Sequence, residues 1–177
     1  MGTWVLDPDH TVAAFAIRHM MVAYVKGQFN KVTGIIQMGN NNREIVSIEA
    51  KIDASNIYTG IQKRDDHLRS PDFFNVEKYP EITFKSTKVN GNIEKGFRVT
   101  GDLSICGITH SVTSDVTVAG PVKAPFGKET TIGFSSVFTI NREDFGITWN
   151  VPLESGGLMI SKEVHIYIDA EADLLKE

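Results

Sequence analysis

Five histidines, one cysteine and a few charged pairs are the residues of this chain with chemistry to offer, and their spacing argues against a catalytic centre. His10, His19, His67, His110 and His165 are dispersed, without the paired spacing that a zinc site on one helix or hairpin requires. No nucleophile elbow, phosphate-binding loop, dinucleotide fingerprint or paired-histidine helix motif occurs. Cys106 is the single cysteine and stands beside Gly107 at a strand end, which reads as a buried, inert thiol. The expectation is therefore a protein with no catalytic residue, no metal and no cofactor.

Three residues remain as candidates for contact with a polar group. His19 shares a strand face with Phe15 and Ile17, because alternate residues of a strand point the same way. An imidazole thus stands at one end of an apolar surface, either satisfied by a backbone carbonyl or available to a ligand's head group. Arg64 and Asp65 flank a short apolar stripe, and charges there need partners. They pair with neighbouring groups or strand backbone, or they meet a polar head.

The stretch that positions them runs from Asn56 to Phe84. Ile57, Ile61 and Leu68 recur at helical spacing and predict two to three turns with Arg64, Asp65 and Arg69 beside the stripe and Asp66 and His67 pointing away. Ser70-Pro71-Asp72 predicts a second short turn carrying Phe73 and Phe74, and Tyr79-Pro80 forces an extended entry into the next strand. Apolar beneath and charged at its edges, this segment reads as a lid.

Strand patterns surround it. Thr3 to Leu6, Thr11 to His19, and a long Tyr24 to Met38 with bends at Gly27 and Gly34 precede a turn at Asn40-Asn41-Asn42. Ile45 to Asp53 alternates with Val46, Ile48, Ala50 and Ile52 on one face. After the lid, Ile82 and Phe84 start a strand expected to turn at Asn90-Gly91. Phe97, Val99, Leu103 and Ile105 share a face, with Gly101 allowing a bend or a close approach. Val112, Val116 and Val118 mark the next strand, a loop is expected from Gly120 to Gly127, and Ile132, Phe134, Phe138 and Ile140 mark another. Asn141 to Trp149 is turn-like, and Met159 to Ala170 closes the sheet.

About eight long strands with one wet and one dry face, joined by hairpins, predict an all-β antiparallel sheet. Closure into a barrel removes its exposed edges; an open sandwich is the alternative. Phe15, Ile17, Phe29, Ile48, Phe84, Leu103, Phe134 and Phe138 are candidates for one interior surface. An eight-stranded barrel encloses either a filled core or one small-ligand cavity, and both stay open at this level. Met20 and Met21 would suit an adaptable wall.

At 177 residues with 41% hydrophobic content, the chain fits one domain, 1–177, with a substantial core. A net charge of −4 without a basic cluster argues against nucleic-acid partners and anionic membrane surfaces. No apolar run is long enough to cross a bilayer, so no stable membrane insertion is expected. Asp7, Asp9, His10 and Arg18 interrupt any signal-peptide core. The expected location is cytoplasmic, or periplasmic or secreted should a leader have been removed.

The wording of the chain also resembles a known family. Arg64-Asp65, His67-Leu68-Arg69-Ser70, Asp72-Phe73-Phe74 and Tyr79-Pro80-x-Ile82-Thr83-Phe84 are similar to the central signature of the YceI-like lipid-binding proteins. The likeness extends to Asp7-x-x-His10, Phe15-x-Ile17-Arg18-His19-Met20-Met21, Val25-x-Gly27-x-Phe29, the run from Val99 to Thr109, and Arg142-x-Asp144-Phe145-Gly146-Ile147-x-Trp149. The resemblance implies a lipocalin-like antiparallel barrel holding a long isoprenoid or similar lipid in its lumen, usually as a homodimer. It also implies a part in isoprenoid quinone metabolism, transport or storage.

On that reading the eight apolar candidates line the lumen, and His19, Arg64, Asp65, Leu68, Phe73 and Phe74 form the lid and head-group contacts. Each buried methylene contributes about 0.8 kcal/mol, enough for a chain of several isoprene units to offset its immobilisation. Two alternatives stand beside the carrier. One is an enzyme acting on such a lipid with His19 or Asp65 as general base; the other is an interaction module with a fully packed core.

Overall fold

A computed structural model of the chain describes residues 1–39, 41–125, 127 and 129–175. Eleven strands appear in one sheet: β1 (Gly2–Leu6), β2 (Val12–His19), β3 (Ala23–Phe29), β4 (Thr33–Met38), β5 (Ile45–Asp53), β6 (Ile57–Tyr58), β7 (Glu81–Asn92), β8 (Gly96–Ile105), β9 (Ile108–Lys123), β10 (Thr130–Asn141) and β11 (Ile160–Leu174). One α-helix, α1 (Gln62–Arg69), lies between β6 and β7. Short 3₁₀ turns cover Ala54–Asn56 and Arg142–Phe145.

Several of the eleven are halves of interrupted strands. β2 pairs with β3 and β1 with β4, both antiparallel, so β1–β2 and β3–β4 form one broken hairpin. β4 pairs with β5 and β3 with β6, which makes β5–β6 the third strand. Every later neighbour is a direct antiparallel partner. The last strand, β11, returns to both halves of the first, with Trp4 opposite Leu174 and Ile17 opposite Val164. Counted this way, eight antiparallel strands close into an up-and-down barrel, and the open sandwich is excluded. Closure satisfies backbone groups that an edge would leave exposed.

One end of this barrel is plugged. Trp4, Met38, Phe97, Ile132 and Ala172 are almost wholly buried there, on strand segments that register places at one level: Met38 opposite Gly2, Ile132 opposite Ala172. The other end carries α1, the 70–80 turn and the 142–159 connection.

The local differences from the sequence reading have identifiable causes. The long strand expected over 24–38 breaks after Phe29, where Lys31 takes φ 57°. Between β4 and β5 the register shifts, so Met38 faces Ile45; Ile45 turns inward and Val46 is exposed instead. The turn expected at Asn90-Gly91 falls at 93–95, because Gly91, at φ 120°, continues the ladder opposite Phe97. The expected 120–127 loop is shortened by β9, which runs on to Lys123. Asn40 of the predicted asparagine turn lies outside the described residues.

The helix is also shorter than its apolar stripe suggested. Ile57 belongs to β6 and is buried there, whereas Ile61 precedes α1 and is 54% exposed. The stripe's only member on the helix is Leu68. Residues 70–74 form hydrogen-bonded turns, with Phe73 N–H donating to Ser70 O and Phe74 N–H to Leu68 O, both at 3.0 Å.

Candidate functional site

Between the plug and α1 lies a cavity of about 450 Å³, within the usual range for small-molecule sites. Its wall is built from alternate residues of the strands. Phe15 and Ile17 of β2, Phe29 of β3, Ile48 of β5, Phe84 of β7, Leu103 of β8, and Phe134 and Phe138 of β10 all line it. Two glycines make room for these rings: a Cβ on Gly27 would sit 2.5 Å from Phe15, and one on Gly101 2.4 Å from Phe84. Gly101 therefore accepts a neighbouring ring at close range.

The two buried hydroxyls on the wall, those of Thr11 and Ser136, are spent within the protein. Thr11 Oγ1 donates to Glu171 O at 3.2 Å, and Ser136 Oγ donates to Asp115 O at 2.8 Å. Satisfied groups of this kind make no demand on a ligand. Over most of its length the cavity therefore behaves as an apolar tunnel.

The lidded end differs. Arg64 of α1 lines the cavity while donating from Nε to Thr59 Oγ1 at 2.7 Å and from Nη2 to Thr59 O at 2.8 Å. Asp65 is buried but is not a lining residue. Its carboxylate accepts from Thr59 N at 2.9 Å and from Thr59 Oγ1 at 2.5 Å. Arg69 adds bonds to the carbonyls of Ser55 at 2.8 Å and Ile57 at 3.0 Å. Three helix side chains thus strap α1 to the segment before it, and Asp65 is an anchor, not a head-group contact.

Beneath the helix, Leu68, Phe73 and Phe74 face the cavity, and Phe74 stands edge-on to Phe29 at 5.4 Å. Cys106 donates its thiol to the carbonyls of Phe74 at 3.4 Å and Phe73 at 3.6 Å, and burial raises its pKa. His67 was expected to point away, yet it lines the cavity and meets Phe73 and Trp149 edge-on, each at 5.0 Å. A helix only eight residues long, bound along one side, turns a different arc inward from the one its full stripe would dictate. His19 lies at the end of β2 on the same cavity. Met20 and Met21 form an exposed hairpin tip, and Met159 takes the wall position instead.

Sequence reasoning missed Arg142 and Trp149. The 3₁₀ turn after β10 begins at Arg142, which is 4% exposed. Its guanidinium donates to the carbonyls of Ile147 at 2.7 Å, Ser161 at 2.8 Å and Trp149 at 3.0 Å, while Nη2 is buried without a partner. Burial lowers its pKa, and the neighbouring Glu143 charge opposes that shift. The arginine holds the 142–149 connection over the cavity and forms part of its wall. The available signal was an arginine opening a turn-rich motif that ends in tryptophan.

Asp7, His10 and Glu171 are the one group among the described residues that brings three metal-capable atoms within 4.8 Å. They do not line the cavity. His10 Nδ1 already contacts Asp7 Oδ2 at 2.8 Å, a hydrogen-bond distance. No helix among the described residues is long and apolar enough to cross a membrane.

This geometry has relatives. A UPF0312 protein of Staphylococcus aureus strain N315 is 37% identical over 171 residues, covering 97% of each chain. BcnA of Burkholderia cenocepacia superposes with a TM-score of 0.78 at 23% identity, over 94% of this chain and 98% of that one. The YceI protein of Campylobacter jejuni gives 0.73 at 28% identity over 90% of each. A polyisoprenoid binding domain from Saccharophagus degradans gives 0.68 at 16% identity, over 97% of this chain and 98% of that one. The YceI-like domain model matches residues 4–172, and with that match spanning nearly its whole length the chain belongs to the YceI-like family.

Proposed function

We propose that the protein binds the hydrocarbon tail of a long-chain isoprenoid or similar lipid in its lumen and carries or stores it, without transforming it. The observation that supports this most is the cavity of about 450 Å³ between a plugged end and a lidded end. An apolar wall whose buried hydroxyls are satisfied gains free energy mainly from methylenes. The relative described as a polyisoprenoid binding domain favours the isoprenoid over other chains.

The enzyme alternative loses one of its two candidate bases, since Asp65 is committed to Thr59. The packed-core module is disfavoured by the size of the cavity. Working as a homodimer is part of the proposal, with the mass in solution as its check.

Organic extraction of protein purified without detergent, followed by mass spectrometry, tests the carrier. A co-purifying lipid, or stoichiometric uptake of added polyprenyl compounds by the delipidated protein, is the expected result. No lipid and no uptake would overturn it; turnover of an added lipid into a modified product would favour the enzyme.

A further inference from the structure

We infer that the tip of the β2–β3 hairpin docks the protein on a phospholipid bilayer surface, with the lidded end of the barrel facing the membrane. The docking goes beyond the carrier reading and is tested apart from it. Its starting point is a local conflict between side chain and backbone. Val22 N–H donates to His19 O at 3.1 Å, closing a turn whose central residues, Met20 and Met21, take φ of 49° and 60°. A two-residue hairpin turn with both central φ values positive favours Asn-Gly, because few other side chains tolerate that region. Methionine is a poor choice there, and burial does not compensate: Met20 is 45% exposed, Met21 50%, and Val22 beside them 79%. Three consecutive apolar side chains thus stand in solvent on a disfavoured backbone. Packing within the barrel does not account for them, whereas an apolar contact outside it does.

The tip also stands at the mouth of the lumen. His19, just before it, lines the cavity, and Met20 N–H donates at 2.6 Å to the carbonyl of Met159, another wall residue. Ile61 ahead of α1 and Val151 of the 142–159 connection are exposed at the same end. Hairpin tips at the plugged end are built differently. The β4–β5 tip carries Asn41, Asn42 and Arg43, and the β7–β8 tip exposes Glu94 and Lys95. Of these three tips, the apolar one is at the end through which a lipid would pass.

The charge beside the tip selects a lipid surface over a second copy of the chain. From His10 through Arg43 the sequence has Arg18, Lys26, Lys31 and Arg43 and no aspartate or glutamate, although the whole chain carries −4. The neighbouring connection contributes one acid between 150 and 159, Glu154. Register places Arg18 opposite Tyr24 and Ala16 opposite Lys26, so Arg18, Tyr24 and Lys26 share the outer face behind the tip. Arg18 lies over the Tyr24 ring at 5.2 Å and donates from Nε to Met21 O at 3.3 Å. Arg18 and Lys26 are both exposed. Two copies meeting tip to tip would bring these cations together. Lipid phosphates would instead neutralise them while the methionines and Val22 enter the acyl boundary. Tyrosine and long cationic side chains behind an apolar tip suit the membrane–water interface, where each has one apolar and one polar part to satisfy.

Co-sedimentation of the delipidated full chain with phosphatidylcholine vesicles, with and without phosphatidylglycerol, tests the docking. Binding to both is expected, and tighter binding where phosphatidylglycerol is present. Met20→Asn with Met21→Gly installs the residues this turn favours, so the double variant is expected to melt no lower than the parent. Its vesicle binding is expected to fall about tenfold or more. Val22→Ser, outside the strained pair, is expected to weaken binding about threefold or more, and Val137→Thr, exposed on the barrel wall, to leave it unchanged. Farnesol uptake from solution is expected to be equal in the parent and the double variant. Vesicle binding that is absent in the parent, or undiminished in both tip variants, would overturn the docking. So would a parent dimer that the double variant converts to a monomer, without vesicle binding by either. Tip-dependent vesicle binding by a protein that takes up no farnesol would overturn the carrier and leave the docking standing.

Discussion

Replacing Ala50 with leucine separates an open lumen from a filled one by the sign of two effects. Ala50 lies between Ile48 and Ile52 on β5 and lines the cavity. Leucine adds three carbons at a point where about 450 Å³ is open to receive them. At about 0.8 kcal/mol per buried methylene the lipid-free protein gains up to about 2.4 kcal/mol, or roughly 5 to 10 °C in Tm for a chain of this length. The same three carbons displace an equal stretch of any bound tail, so affinity for a long-chain lipid falls by up to about fiftyfold, at tenfold per 1.4 kcal/mol. Urea denaturation of delipidated protein and a fluorescence titration with a polyprenyl ligand read the two effects. In a filled barrel the added carbons would overpack the core and cost about 1–3 kcal/mol. A destabilised Ala50→Leu protein with undiminished lipid affinity would refute the open lumen.

Three other perturbations address the lid and its surroundings. Asp65→Ala strips the buried acceptor from Thr59 N–H and Oγ1 and is expected to cost about 1–3 kcal/mol, with faster hydrogen exchange at the Thr59 amide; a cost under about half a kcal/mol would contradict the anchoring role. The Asp7 hydrogen bond raises the pKa of His10, and the His10 hydrogen bond lowers that of Asp7. The His10 contribution is complete below about pH 6.5 and fades as pH rises through its raised value, while that of Asp7 is present above about pH 3.8 and fades as pH falls through its lowered one. His10→Gln should therefore destabilise in the mildly acidic range and converge on the parent in alkali, and a difference constant with pH would count against the pairing. Burial raises the Cys106 pKa, so alkylation near neutral pH should run at least about tenfold slower than in the urea-unfolded chain; equal rates would show the thiol to be open.

Much of this architecture was legible because burial on one face leaves a period of two. β8 reads directly, with Phe97, Val99 and Ile105 buried and Arg98 and Asp102 exposed. The interior rings of β2, β7 and β10 follow from the same rule. What was not legible depends on events between strands. The shift that moves Ile45 inward and Val46 outward arises in the pairing of β4 with β5, and nothing local to Val46 signals it. Gly91 resembled a turn residue, but its φ of 120° serves a continuing ladder.

The lid shows the same limit. Asp65 and Arg64 could have faced a ligand or the backbone, and the folding of Thr59 back onto them decided the matter for Asp65. Arg142 lies far in sequence from α1 and reaches the cavity only because the barrel closes. Residues that meet from separate segments of the chain, such as Trp149 of the 142–159 connection against His67 of α1 at 5.0 Å, carry no mutual spacing to read.

The central claim, that the lumen admits a hydrocarbon chain, is tested most directly by crystals of the protein grown with geranylgeranyl monophosphate. The account expects continuous density along the barrel axis, from beside Phe134 past Phe138 and Ile17, ending at His19 and Arg64. A lumen occupied by the protein's own side chains, with the ligand absent or bound on the outer surface, would contradict it.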